Sequence, residues 1–216
     1  MRIRMKTSDL VRGLQVASAA AGNNTPNVLI DVTGDEVRFV GTNGHWLVEW
    51  SQHMELPDEA QVGVQGDSLT TLLPALMRAA ERTQRGAKDA RIDLILSEKA
   101  ASFPEDGPRP IRIEHDLGAV TINGVSLSEV PFVSQYAKIL RPGKYPPPTA
   151  WFAGAAEYIL QLGELFTDAC RTGKTPTLMF RTGGESDPIH VTSDSVPELT
   201  AVVMPVRCDG RTPSKR

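Results

Sequence analysis

The sequence predicts an α+β protein built by repeating one plan: a strand, a helix, then a run of antiparallel strands. Three observations carry this. Apolar residues recur at helical spacing in three separate stretches, at Leu10, Leu14, Ala17 and Ala21, at Leu69, Leu72, Leu73, Leu76, Met77 and Ala80, and over 155–170. Each stretch is followed by short alternating segments bounded by turn residues, the signature of antiparallel strands. The plan restarts at intervals of about 60–80 residues. One helix cannot cover both faces of its strands, so the units must pair to bury a core. Units one and two then form a complete domain, and the third is left over.

Residues 1–6 alternate as a strand. Thr7 or Ser8 can cap the first helix, and Gly22 is expected to stop it. Val28–Val32, Val37–Val40 and Trp46–Trp50 read as strands joined by turns at Thr33-Gly34-Asp35 and Thr42-Asn43-Gly44. Gln61–Val64 opens the second unit, and Asp67 or Ser68 can cap its helix. Pro74 falls inside that helical pattern, so the helix either starts late or kinks. Arg91–Leu96, Ile111–Glu114 and Ala119–Val125 read as strands, with a loop over 97–110. Residues 126–148 read as a connector ending in Pro146-Pro147-Pro148, too stiff for a helix and short of donors for a sheet interior. In the third unit Thr149–Ala153 is a strand and 155–170 a helix. The strands Thr175–Phe180, Ile189–Ser193 and Thr200–Val206 follow. The expected organisation is therefore a domain over 1–142 with halves at about 1–60 and 61–142 and a linker over 143–148. A third half-unit covers 149–207 and a basic tail 208–216.

The chain has 216 residues, 40% hydrophobic and 23% charged, ordinary proportions for a globular protein that folds without disulfide staples. Cys170 and Cys208 show no disulfide or zinc spacing and read as reduced thiols of a cytoplasmic protein. No secretion signal is read, and no run reaches the 18 or so apolar residues of a membrane span. The net charge of −3 argues against nucleic acid on its face, but the placement of basic residues is the better guide. Arg78, Arg82 and Arg85 fall on one face of the second helix, followed by Lys88, and Arg12 sits on the first. The third helix instead carries Glu157, Glu164 and Asp168.

Two short segments far apart in the chain, Thr42-Asn43-Gly44-His45-Trp46-Leu47 and Val202-Val203-Met204-Pro205-Val206-Arg207, resemble signatures of the bacterial DNA sliding clamp, the beta processivity subunit of the replicative polymerase. In that family a T-D-G-H-R-L turn and a terminal V-V-M-P-M-R strand line the groove where polymerases and clamp loaders dock a short peptide. Asn27–Val32 through His45 is similar to the start of the family's middle domain. Ser126–Phe132 with Tyr136–Pro142 is similar to the segment leaving it, and Tyr158-Ile159-Leu160 to the helix in the second half of the last domain. The resemblance spans most of the chain but lacks the family's first domain and half of its last. It implies clamp-like repeats with sheets outside and helices on one face.

The resemblance also implies site residues. A peptide pocket would draw on Thr42, Gly44, His45, Trp46, Leu47, Pro142, Val202 and Met204. Trp46 stands where the family has a basic residue, so its indole would make the rim more apolar or fill the groove. Duplex DNA would be held non-specifically by Arg12, Asn24, Arg78, Arg82, Arg85 and Lys88, through phosphate contacts that carry no sequence information. No catalysis and no cofactor are expected. Thr172-Gly173-Lys174-Thr175 resembles the end of a phosphate-binding loop, but it follows a helix instead of opening one. His45, His53, His115 and His190 lack metal spacing. The function expected is that of a homo-oligomeric polymerase processivity factor in the cytoplasm, at the nucleoid. The alternative is a clamp-derived adaptor that binds peptides and never surrounds DNA, which the acidic third helix favours.

Overall fold

The computed structural model describes residues 1–22, 27–56, 58–66, 69, 72–78, 91–96, 111–115, 118–122, 124–130, 132, 135–140, 156–170, 175–183 and 187–205. The chain divides into two compact units, Met1–Ser134 and Gln135–Arg216. The loop over 97–110, the linker over 143–148, the strand Thr149–Ala153 and the tail over 208–216 lie outside the described residues.

Unit one opens with β1 (Arg2–Lys6), whose Ile3 and Met5 point inward while Arg2, Arg4 and Lys6 face out. It runs directly into α1 (Thr7–Ala20). Here the expected caps are corrected. Lys6 is the N-cap, with extended backbone and no side-chain cap hydrogen bond, because the strand leaves no residue between the two elements. At the other end Ala21 turns extended while its N–H still donates to the carbonyls of Ala17 and Ser18. Gly22 therefore does not act as a left-handed stop. Its role is close approach, since a Cβ there would lie 2.6 Å from Cβ of Asn43.

The strands that follow are β2 (Asn27–Thr33), β3 (Glu36–Thr42), β4 (Trp46–His53) and β5 (Ala60–Gln65). Residues 66, 69 and 72–78 are helical, and 72–78 is taken as α2. The helix thus does not wait for Pro74, which sits on its exposed side; the expected caps Asp67 and Ser68 lie outside the described residues. Leu69, Leu72 and Leu76 are buried, as their spacing requires. Next come β6 (Arg91–Leu96), β7 (Ile111–His115), β8 (Gly118–Ile122) and β9 (Gly124–Val125). The single strand read at 119–125 is in fact two: β8 pairs with β7 and β9 with β5.

All described pairings are antiparallel, and in unit one they are reciprocal. The first half contributes β2, β3 and β4, and accepts β5 of the second half beside β2, with Val28 opposite Val64 and Ile30 opposite Val62. The second half contributes β6, β7 and β8, and accepts β1 of the first half beside β6, with Ile3 opposite Leu94. Each half lends its leading strand to the other. This exchange is why neither half closes a core alone.

α1 lies on β3 and β4 at two glycines. A Cβ at Gly13 would come 2.3 Å from the Phe39 ring, and one at Gly41 only 1.9 Å from the Ala17 carbonyl oxygen. The backbone oxygen cannot swing away as a side chain can. Gly41→Ala is therefore expected to destabilise unit one by about 1–3 kcal/mol through overpacking, read as a lower midpoint in urea.

The outward face of the β1-β6-β7-β8 sheet is a ladder of paired charges. Arg2 reaches Glu114 at 3.0 Å, Arg4 reaches Asp93 at 2.9 Å, and Arg112 reaches Glu114 at 2.8 Å. Arg38 is likewise held between Glu36 at 2.8 Å and Asp31 at 3.6 Å.

Unit two contains α3 (Tyr136–Leu140), α4 (Ala156–Ala169) and the sheet β10 (Met179–Arg181), β11 (Ile189–Thr192), β12 (Leu199–Val203). Both helices pack on β12, and Leu162, Phe166, Val191 and Ala201 are buried in the core. The connector read over 126–148 is corrected here: it holds a 3-10 turn at Leu127–Glu129 and then α3. Tyr136 and Leu140, four apart, are both buried, and that single pair is too short to register as a helical period.

Candidate functional site

The turn between β3 and β4 is fixed by its own polar groups. Thr42 Oγ1 donates to the Trp46 carbonyl at 2.6 Å and accepts from the Gly44 N–H at 3.0 Å. Asn43 Oδ1 accepts from the N–H groups of His45 and Trp46 at 2.9 and 3.1 Å. Gly44 has φ +90, a conformation side-chain-bearing residues rarely adopt. The residue that sequence reasoning left out of the site is Asn43, and its signal was present. An Asn before Gly whose side chain can bond backbone two and three residues on is ordinary turn chemistry. The result is a rigid tip at which Gly44 and His45 are exposed, while Thr42, Trp46 and Leu47 are buried. Trp46 is only 4% exposed, so it supplies structure to the turn and no open rim surface.

In unit two, Val202 is buried in β12 and Met204, just past its end, is 45% exposed. Pro142 lies outside the described residues. Of the residues that the resemblance implied, Gly44 and His45 in unit one and Met204 in unit two are exposed, while Thr42, Trp46, Leu47 and Val202 are buried in the segments that carry them.

The open side of α1 carries Ser8, Arg12, Gln15 and Ala19, and that of α2 carries Pro74, Ala75, Met77 and Arg78. Gln15 Nε2 donates to Met77 Sδ at 3.1 Å, tying the two helices side by side. Among these described residues there is no carboxylate; Asp9, the acidic residue of α1, is buried. The contrast with the charge-paired sheet is physical. There each arginine sits against carboxylates, whereas the described exposed residues beside Arg12 and Arg78 on the helical face are uncharged. Asn24, Arg82, Arg85 and Lys88 lie outside the described residues. In unit two, α4 exposes Glu157, Glu164 and Asp168.

His190, on β11, is buried, and that desolvation pushes its pKa below the ordinary 6.5. In the unfolded chain the imidazole takes up its proton near 6.5, before the folded chain does. Stability is thus full above that pH and falls as the pH drops toward the folded value. The expected result is a thermal midpoint that declines as pH is lowered from about 7.5 to 5.5, with a smaller decline in His190→Gln. Among the described residues no group of His, Cys, Asp or Glu can hold a metal ion, and no helix is long and apolar enough to cross a membrane.

This architecture matches solved structures. The DNA polymerase III subunit beta of Pseudomonas aeruginosa superposes with a TM-score of 0.60 at 13% identity, covering 99% of this chain and 66% of that one. The chain has the sliding-clamp fold. The beta subunit of Streptococcus pyogenes matches this clamp-like chain with a TM-score of 0.62 at 10% identity, again over 99% of it and 66% of the other. The Caulobacter crescentus sliding clamp gives 0.60 and 10%, over 99% and 67%. This clamp-like chain thus spans about two thirds of the length of these relatives. No family model matches its sequence. No curated protein matches it either. The likeness is carried by the backbone of the clamp fold, its antiparallel sheets and its helices.

Proposed function

We propose that this protein is a sliding-clamp-like processivity factor. It holds duplex DNA non-specifically through α1 and α2 of unit one. It docks partner peptides of the polymerase or clamp-loader type through the residues that the sequence motifs mark, His45 at the turn of unit one and Met204 at the end of β12 in unit two. The observation that supports this best is a clamp fold whose α1–α2 face offers Arg12 and Arg78 and no carboxylate among its described residues. Phosphate contacts of this kind give affinity without sequence preference, which a protein that slides requires. No bond is made or broken, and no cofactor is needed; the gain is retention of a partner enzyme on its template. The chain acts as a homo-oligomer, in the cytoplasm at the nucleoid.

The reading is tested by binding to duplexes of unrelated sequence at about 50 and 200 mM salt. It requires equal affinity for each duplex and a steep loss with salt. A second reading, a clamp-derived adaptor that docks peptides without surrounding DNA, is favoured by the acidic exposed face of α4, which would repel a phosphate backbone. Absent or salt-insensitive DNA binding, with peptide docking intact, selects it.

A further inference from the structure

We infer that the exposed side of α4 is the docking surface for the chain's own basic tail, residues 208–216. This contact lies within unit two and depends on neither DNA holding nor peptide docking. The function proposed above leaves the basic tail without a role, and α4 offers it a complementary face. Leu162, Leu165, Phe166 and Ala169 are buried along one side of the helix. Glu157, Leu160, Glu164, Thr167 and Asp168 are exposed along the other. α4 carries no lysine, arginine or histidine.

The face suits a cation carried on an apolar stem. Leu160 is 69% exposed. Glu157 stands three residues before it and Glu164 four after, the spacing that brings side chains together on one side of a helix. Glu164 and Asp168, again four apart, are like charges that repel at this spacing. An arginine or lysine meets both features. Its methylenes cover an apolar side chain while its charged head stays among the carboxylates. A phosphate or an acidic segment meets neither.

The tail supplies such side chains within reach. Its Arg211, Lys215 and Arg216 outweigh Asp209, its single acid. α4 packs on β12, and the chain runs on from β12 through Met204 and Pro205 into 206–216. Those residues can extend to about 36 Å. A helix of fourteen residues is about 21 Å long and about 10–12 Å across. The whole exposed side of α4 is therefore accessible to the tail. Neutralising that side removes the repulsion it would exert on a nearby phosphate backbone.

Paramagnetic relaxation in the full chain tests the inference. A nitroxide is attached at position 214 through Ser214→Cys with Cys208→Ser, the other thiol, Cys170, being buried. The expected result is broadening of the amide signals of Glu157, Leu160 and Glu164 at about 0.05 M salt, lost at about 0.5 M as exposed charges are screened. Arg211→Glu, Lys215→Glu and Arg216→Glu together should abolish the broadening. Adding Glu157→Lys and Glu164→Lys to that chain should restore it, which damage to the fold would not do. Both glutamates are exposed, so the thermal midpoint should stay near that of the unaltered chain. Broadening that is absent in the unaltered tail, or that survives the tail reversal, overturns the inference. So does broadening that appears only on a second, isotope-labelled chain mixed with the nitroxide-bearing one. Charge reversal at Arg12 and Arg78 acts on DNA alone, so failure of the DNA reading leaves this contact in place.

Discussion

Replacing Arg12 and Arg78 together by glutamate is expected to cut affinity for duplex DNA by about tenfold to a hundredfold at low salt. The salt dependence should flatten by the slope that about two phosphate interactions carry. The physical basis is where the charges stand. Arg2, Arg4, Arg38 and Arg112 are each within 3.0 Å of a carboxylate oxygen, so their charge is largely spent locally. Arg12 and Arg78 stand on the outward sides of α1 and α2, beside Ser8, Gln15, Ala19, Pro74, Ala75 and Met77. Each phosphate neutralised by such a residue releases condensed counterion, and removing one such arginine lowers the slope of log K against log salt by about one. Reversal in place of neutralisation adds repulsion and enlarges the effect. The paired control is Arg2→Glu with Arg4→Glu, the same change in net charge made on the sheet. Equal losses in both doubles would mean that net charge, and not this face, governs binding. Unchanged affinity in the Arg12 and Arg78 double would remove the DNA-holding role and leave the adaptor.

The sequence was most legible where a residue's role is settled by its neighbours in the chain. β6 begins and ends at Arg91 and Leu96 as the alternation requires, and the leucines at 69, 72 and 76 are buried as their spacing demands. It was less legible where partners far along the chain decide. Ala119–Val125 is one alternating run, yet its two ends serve β7 and β5, because pairing is chosen by the sheet and not by the run. Thr175–Phe180 reads as a strand but pairs only from Met179; Pro176 has no N–H to give a ladder. β4 extends past Trp50 through Ser51, Gln52 and His53, polar residues that lie opposite Arg38, Val37 and Glu36 and stay in register through the backbone. In the candidate site, the Thr42–Leu47 motif located the turn correctly. Which of its residues are open was not readable, since the burial of Trp46 beside an exposed His45 goes with hydrogen bonds that Asn43 Oδ1 accepts and Thr42 Oγ1 donates, which only the folded turn displays.

That distribution of burial decides how a docked peptide should respond to substitution. Met204→Asp is expected to weaken a short peptide with leucine and phenylalanine anchors by about tenfold to a hundredfold, the worth of one well-buried apolar side chain. Fluorescence polarisation of a labelled peptide reads it. Met204 is 45% exposed, so the variant should keep the thermal midpoint of the native chain. The conservative Met204→Leu should restore most of the affinity, which a role limited to folding would not distinguish. His45→Ala should cost less, about threefold to tenfold, since an exposed imidazole at a turn tip offers a polar contact already shared with water. Val202→Ala gives the opposite pattern. Val202 is buried in β12, so truncation there lowers stability and weakens docking only as the strand loosens. If Met204→Asp and His45→Ala both bind the peptide as the unaltered chain does, the docking site is elsewhere. A loss on Met204→Asp alone would leave the β12 end as the site and remove the turn from it.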